Sequence, residues 1–163
     1  MSGRPAREQP KRPVQVTVDD DARRQLASQL TARRLPVRSL SQLFESLLFL
    51  LQSIYIEDDE AEFLRKMYRI ESERLTAIAR AGTEPRRVRL HLTLDVGACA
   101  FMDMLKRKHR RLFGTRSAVA TALAFAASRL CADADSLRYL ARRIRAVCRA
   151  HPTRHRGNSD TSA

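Results

Sequence analysis

The chain has 163 residues and a formal charge of +13 at neutral pH, and 44% of its residues are apolar, which is enough for a packed core. Three widely spaced cysteines (Cys99, Cys131 and Cys148) do not make a disulfide framework, and no apolar stretch reaches the roughly 20 residues of a membrane-spanning helix. The positive field attracts polyanions, with nucleic acid as the first candidate and an anionic membrane as the second. Without an apparent signal peptide we expect a cytoplasmic protein, and we expect no membrane among its partners.

The first predicted elements are a basic arm and a short strand. Residues 1–12 are rich in arginine, lysine and proline without apolar periodicity, which predicts a disordered arm. Residues 13–18 alternate between apolar and polar side chains. This period predicts a half-buried strand with Val14, Val16 and Val18 facing inward and with Gln15 and Thr17 facing outward.

Two predicted helices follow this strand. Asp19 is a suitable N-cap for a helix of about 15 residues, which Pro36 ends. Ser39 caps a second helix from Leu40 to about Ile56, with Arg38 in the turn before it. The predicted inward residues recur at helical spacing: Ala22, Leu26, Leu30, Leu43, Leu47, Leu48, Leu51 and Ile54.

An acidic connecting segment, residues 57–87, comes next. Residues 57–84 carry a net charge of −3, which leaves +16 on the rest of the chain. Asp58 and Asp59 begin a third helix that runs to about Ala81 and ends at Gly82. Its predicted apolar face consists of Phe63, Leu64, Met67, Ile70, Leu75 and Ile78.

The second half of the chain repeats this order. Residues 88–94 predict a strand whose side chains alternate between an inward set (Val88, Leu90, Leu92 and Leu94) and an outward set (Arg89, His91 and Thr93). Asp95 caps a helix to about Leu112, Gly114 breaks it, and Thr115 caps the next helix. A last helix, starting at residues 133–135 and ending near residue 150, precedes a tail (152–163) that we expect to be disordered.

The two halves match at a constant offset of 76 positions without a gap. In the strands, Thr17 matches Thr93 and Asp19 matches Asp95. The match continues into the helices, where Ser39 meets Thr115, Ser41 meets Ser117, Leu43 meets Val119 and Leu47 meets Leu123. A duplicated strand-helix-helix unit in a basic chain indicates a specific mode of DNA binding.

The order of strand, helix, turn and a second helix capped by Ser/Thr-x-Ser resembles the ribbon-helix-helix superfamily of Arc, MetJ and CopG. The resemblance rests on Arg89-Leu-His-Leu-Thr-Leu-Asp95 with Gly114-Thr-Arg-Ser117, and on Val14–Asp19 with Ser39-Leu-Ser41, although Arg38 replaces the turn glycine. It covers residues 13–56 and 88–131, and the single-chain tandem form is similar to that of TraY and of the virulence C class of T-DNA-transfer accessory proteins. It implies a mainly α fold with one two-stranded antiparallel ribbon, a tandem pseudo-dimer forming one globular domain, with additional connecting (57–87) and C-terminal (132–151) helices.

This resemblance implies a monomeric, sequence-specific protein that lays its ribbon in the major groove of double-stranded DNA. Gln15, Thr17, Arg89, His91 and Thr93 would read bases, although polar residues on a strand are often merely solvated. The predicted phosphate-binding residues are Arg38, Ser39, Ser41, Thr115, Arg116, Ser117, Lys106 and Arg107, with a wider field from Arg33, Arg34, Lys108, Arg110 and Arg111. Because the outward residues of the two strands differ, the expected target is not a simple palindrome.

The sequence leaves several uses open. One is an accessory factor at a plasmid transfer origin or T-DNA border, with a relaxase or another DNA-processing protein as partner. The others are an autoregulatory repressor and a protein-interaction module that does not read DNA. Whether several molecules bind side by side is also open.

We expect no enzymatic activity, because no phosphate-binding glycine loop, catalytic carboxylate pair or nucleophile–base set is visible. No cofactor or metal is expected either. The spacing Cys148-x2-His151-x3-His155 resembles part of a zinc site, but it lacks a fourth ligand. Cys99 and Cys131 are predicted to be small core residues.

Overall fold

The computed structural model describes residues 10–151. Its elements in chain order are β1 (Lys11–Asp19), α1 (Asp20–Thr31), α2 (Leu40–Glu57), α3 (Glu60–Ala81), β2 (Arg87–Asp95), α4 (Val96–Lys108), α5 (Arg116–Leu130) and α6 (Ala134–Ala150). This described part is mainly helical, with six helices and one two-stranded antiparallel sheet, as predicted. Residues 1–9 of the predicted arm and the predicted tail (152–163) lie outside it.

Strand β1 begins earlier than the sequence pattern predicts. Lys11 and Arg12, which were expected in the arm, pair with Asp95 and Leu94 of the other strand. The ladder comprises nine pairs from Lys11–Asp95 to Asp19–Arg87. Pairing with a partner strand therefore extends β1 over residues that have no apolar alternation of their own.

The inward faces of both strands form one wall of the core, as predicted. Val14, Val16 and Val18 of β1 are buried, and so are Leu90, Leu92 and Leu94 of β2, while Val88 is half-buried. A two-stranded sheet is marginal in water unless one face packs on other elements. Here the helices supply that packing, and burial of these apolar side chains stabilises the ribbon.

Helices α2 and α5 form the centre of the helical layer. Leu43, Leu47, Leu48 and Leu51 of α2 are buried, and Ile54 is half-buried. On α5 the predicted inward residues Val119 and Leu123 are buried, whereas Phe125, Ala126 and Leu130 are half-buried. Cys99 and Cys131 are buried beside them, which confirms their prediction as core residues.

Two helix ends differ from the prediction. The predicted end of α4 at Leu112 is wrong, because the backbone leaves the helix at His109 (φ −124°, ψ 53°), whose side chain is buried.

Helix α1 is shorter than predicted and ends in a Schellman motif, with Arg33 N–H donating to Leu30 O (3.1 Å) and Arg34 N–H to Gln29 O (3.0 Å). Arg33 takes the left-handed conformation (φ 56°) that this motif requires.

Helix α3 is only partly buried. Its limits agree with the prediction, including a left-handed Gly82 (φ 71°) at its end. Phe63 and Met67 are buried, but Leu75, which was predicted on the apolar face, is 54% exposed. The prediction for Leu75 is wrong, because a helical period alone does not say how far along a helix the core extends.

Candidate nucleic-acid interface

The outer face of the ribbon carries three cross-strand pairs: Pro13–Thr93, Gln15–His91 and Thr17–Arg89. Side chains alternate along a strand, so these six residues share the face opposite the buried valines and leucines. All are exposed except Thr17, which is half-buried. The five residues predicted to read bases therefore lie together on one surface of the ribbon.

The N-terminus of a helix contacts each edge of the ribbon. Thr17 N–H donates to Ser117 Oγ of α5, and Thr93 N–H donates to Ser41 Oγ of α2, both at 2.9 Å. These N–H groups face away from the partner strand, where a two-stranded sheet leaves backbone groups without a ladder bond. The serines satisfy them and hold the two helix N-termini beside outward-facing threonines.

Pro13 fits the same alternation of backbone groups. It stands opposite Thr93, and it lies four residues before Thr17, so its backbone nitrogen also faces the edge of the ribbon. Proline has no N–H to donate, and at this place the ladder loses no hydrogen bond.

Ser39 and Thr115 cap α2 and α5, as predicted. Ser39 Oγ accepts from Gln42 N–H (3.2 Å), and Thr115 Oγ1 accepts from Ala118 N–H (3.1 Å). Both residues are exposed. Their hydroxyl hydrogens are therefore accessible to an anion, next to the positive end of each helix dipole.

Thr17 is held from a second side by residues that sequence reasoning missed. Arg87 Nη2 donates to Thr17 O (3.2 Å) and to Thr121 Oγ1 (3.1 Å), and the Thr121 hydroxyl donates to Thr17 O (3.1 Å). Arg87 directly precedes the predicted strand, and nothing in its position signals this contact with β1. The end of β1 is therefore fixed through its backbone, which positions Thr17 on the outer face.

Asp19 links the ribbon to α3. It occupies the N-cap position of α1 as predicted, but its carboxylate makes no capping hydrogen bond. Instead it accepts from Arg74 Nε (2.7 Å) and Nη2 (3.1 Å), and from Arg87 Nη1 (2.9 Å). Burial alone would raise the pKa of Asp19, but these two guanidinium groups outweigh it and hold the pKa below its ordinary value.

The equivalent aspartate at the end of β2 has different partners. Asp95 Oδ1 caps α4 by accepting from Gly97 N–H (2.7 Å), as predicted. Its own N–H donates to Glu45 Oε1 (2.6 Å) within the core. The two ends of the ribbon are thus held by different contacts. At one end Asp19 forms ion pairs with Arg74 and Arg87, and at the other the Asp95 N–H donates to the buried carboxylate of Glu45.

The predicted phosphate-binding cations differ in availability. Arg116 donates to both carboxylate oxygens of Asp103 (2.8 and 2.9 Å), and this contact holds the pKa of Asp103 below its ordinary value. Arg38 is exposed, and its backbone N–H donates to Gln42 Oε1 (2.8 Å). Exposed side chains are also found at Lys106, Arg107, Arg33, Arg34, Lys108, Arg110 and Arg111.

Other types of site are not found in the part of the chain that the structure describes. Between residues 10 and 151, no three histidine, cysteine or acidic side chains cluster as metal ligands would. His155 of the faint zinc-like spacing lies beyond this range. No described helix has both the length and the apolar character needed to cross a bilayer.

Local geometry thus brings the polar ribbon residues, Arg89 among them, together with the N-termini of α2 and α5, where Arg38 and Arg116 lie. Comparisons of the chain with protein-family models, with curated proteins and with solved structures find no significant match.

Proposed function

We propose that this chain is a tandem ribbon-helix-helix pseudo-dimer that binds double-stranded DNA sequence-specifically, with its ribbon in the major groove. The observation that carries the proposal is the agreement between sequence offset and strand register. The offset of 76 positions takes Gln15 to His91, and these two residues face each other at the centre of the ladder. An approximate two-fold axis through this pair would produce this register.

The contacts of the helix N-termini support the same axis. The offset takes Thr17 to Thr93 and Ser41 to Ser117. The bond from Thr17 to Ser117 therefore corresponds to the bond from Thr93 to Ser41, and both measure 2.9 Å. Each copy places the N-terminus of its second helix on the strand of the other copy, an exchange that favours an intramolecular dimer.

The exposed polar face of the two-stranded ribbon supports major-groove reading. The major groove of B-DNA admits a two-stranded ribbon and presents a distinct set of donors and acceptors at each base pair. Gln15, Arg89 and His91 offer polar side chains on the exposed face, and Thr17 and Thr93 add hydroxyl and methyl groups. The helix N-termini beside the threonines would bind phosphates on either side and set the register of the protein on the duplex.

The reading face is asymmetric, which makes the proposal specific. At one end Thr17 stands beside Arg89, and at the other Thr93 stands beside Pro13. Arginine pairs bidentately with guanine, whereas proline offers no donor. We therefore expect a target with one half that contains an essential G·C pair and another half that is more weakly specified, not a palindrome.

The proposed biological role is an accessory factor that marks a plasmid transfer origin or T-DNA border for a relaxase or another DNA-processing protein. It rests on the resemblance to single-chain tandem members of the superfamily. Footprinting on the source replicon tests it: protection beside a nicking site supports this role, and protection over a promoter identifies a repressor instead.

Selection of bound duplexes from a random pool, followed by mobility-shift titration, tests the DNA-binding proposal. Substituting Arg89 by alanine should lower the preference for the selected site over a scrambled one by roughly 5- to 150-fold, the range for one bidentate base contact of about 1–3 kcal/mol. Arg65→Ala, which removes the same charge from an exposed position on α3, is the matched control and should retain the preference. A palindromic consensus, or an equal loss in both variants, contradicts the proposal.

A further inference from the structure

An apolar pocket lies among α2, α3, α5 and α6. Its accessible volume is about 160 Å³. The walls include Leu51, Met67, Leu123, Ala127 and Leu140. Apolar side chains that line an unfilled pocket have no packing partners on that side, so an apolar ligand would gain contacts there.

The repeat explains why the space exists. The residues of α2 that line the pocket are Leu47, Leu50, Leu51 and Ile54, and at the offset of 76 they correspond to Leu123, Ala126, Ala127 and Leu130, which also line it. The pocket thus lies between matching faces of the two copies. At two of the four positions the second copy has alanine where the first has leucine, so the space that two leucines would fill is open.

The pocket has few polar groups, and one of them is a cation. Among its lining residues, Tyr139 and Arg143 are those with polar side-chain atoms. Arg143 is half-buried, and within residues 10–151 its guanidinium makes no hydrogen bond or ion pair, in contrast to Arg74 and Arg116. An unpaired guanidinium beside apolar walls favours an anionic group attached to an apolar body.

We propose that this pocket is a binding site for a small monocarboxylic acid with one aromatic ring or a short alkyl chain. The apolar part occupies the space beside Ala126 and Ala127, and the carboxylate accepts hydrogen bonds from Arg143. The size agrees, because an apolar cavity of about 150 Å³ in another protein holds benzene. A planar guanidinium can bind both oxygens of a carboxylate, which distinguishes an acid from a neutral analogue.

Titration calorimetry on the full chain, with 3-phenylpropanoate and its uncharged analogue 3-phenylpropan-1-ol, tests this site. We expect the acid to bind at least tenfold more tightly than the alcohol. Arg143→Gln should lower affinity for the acid at least tenfold and leave affinity for the alcohol unchanged. No DNA is present, so the result is independent of the proposed function.

Two filling variants test the location of the site. Ala126→Leu and Ala127→Leu each introduce the side chain found at the matching position of the first copy, and each should abolish binding of both compounds while circular dichroism shows a folded protein. No binding by the unaltered chain at millimolar concentrations overturns the proposal. Unchanged binding in the folded filling variants, or an unchanged acid preference in Arg143→Gln, overturns it as well.

Discussion

The two serines that fasten the ribbon should differ in their contribution to stability. Ser117→Ala and Ser41→Ala each remove the acceptor for one strand N–H, and both bonds measure 2.9 Å. The bond at Thr17 is partly buried, whereas that at Thr93 is exposed, so water replaces the lost serine more readily at Thr93. A net hydrogen bond contributes about 0.5–1.5 kcal/mol, and a buried donor left unsatisfied costs about 1–3 kcal/mol.

We therefore expect Ser117→Ala to lower the free energy of unfolding by about 1–2 kcal/mol and Ser41→Ala by about 0.5 kcal/mol. Urea denaturation of both variants measures this through the shift of the midpoint at an unchanged m-value. Both positions are the second residue of a helix, so the change in helix propensity is the same and cancels in the comparison. Ser72→Ala, at an exposed position of α3, is the control and should change the free energy by less than about 0.5 kcal/mol.

The order of the two effects shows whether these hydrogen bonds hold the helix N-termini on the ribbon. If Ser41→Ala proves as destabilising as Ser117→Ala, or if both behave like the control, the helix N-termini are not held on the ribbon through these bonds.

The remaining predictions concern acid stability, a helix end and the anchoring of α3. The pKa of Asp19 is lowered by Arg74 and Arg87 against the effect of burial, so its ion pairs stabilise the fold above the unfolded pKa of about 3.9, and this stabilisation is lost as pH falls through the folded pKa. In urea titrations the stability gap between the unaltered chain and Asp19→Asn should shrink below about pH 4, and a gap constant from pH 6 to pH 3 contradicts this. Arg33→Gly should stabilise by about 0.5–1 kcal/mol, because glycine adopts φ 56° without strain, and a loss of stability in thermal unfolding would count against this. Phe63→Ala should cost about 3–5 kcal/mol in denaturant unfolding, since this fully buried ring anchors α3, and a cost under about 1 kcal/mol would show that α3 is not part of the cooperative unit.

Much of the architecture could be predicted from local pattern. Alternation identified both strands and their buried faces, and Ser39, Thr115 and Gly82 marked helix ends because capping chemistry is local. The end of α4 was not predicted, because the burial of His109 depends on tertiary packing. The left-handed turn at Arg33 was not predicted either, because arginine is not a residue that signals such a turn.

The site was predictable in part for the same reason. The outward residues of each strand follow from its period, and the resemblance implied that the two strands pair and present them on one surface. The contacts of Asp19 with Arg74 and Arg87 join residues 55 and 68 positions apart, and no spacing rule anticipates them. Ser41 and Ser117 were predicted to bind phosphate, but the structure also gives them a backbone partner on the ribbon.

Photo-cross-linking to DNA in which 5-iodouracil replaces thymine in the selected site shows directly whether the ribbon lies in the major groove. The iodine lies in the major groove, because it takes the place of the thymine methyl group. We expect the cross-linked peptides to come from residues 11–19 and 87–95. Cross-links confined to α6 or to the exposed face of α3, with none on either strand, would contradict major-groove reading by the ribbon.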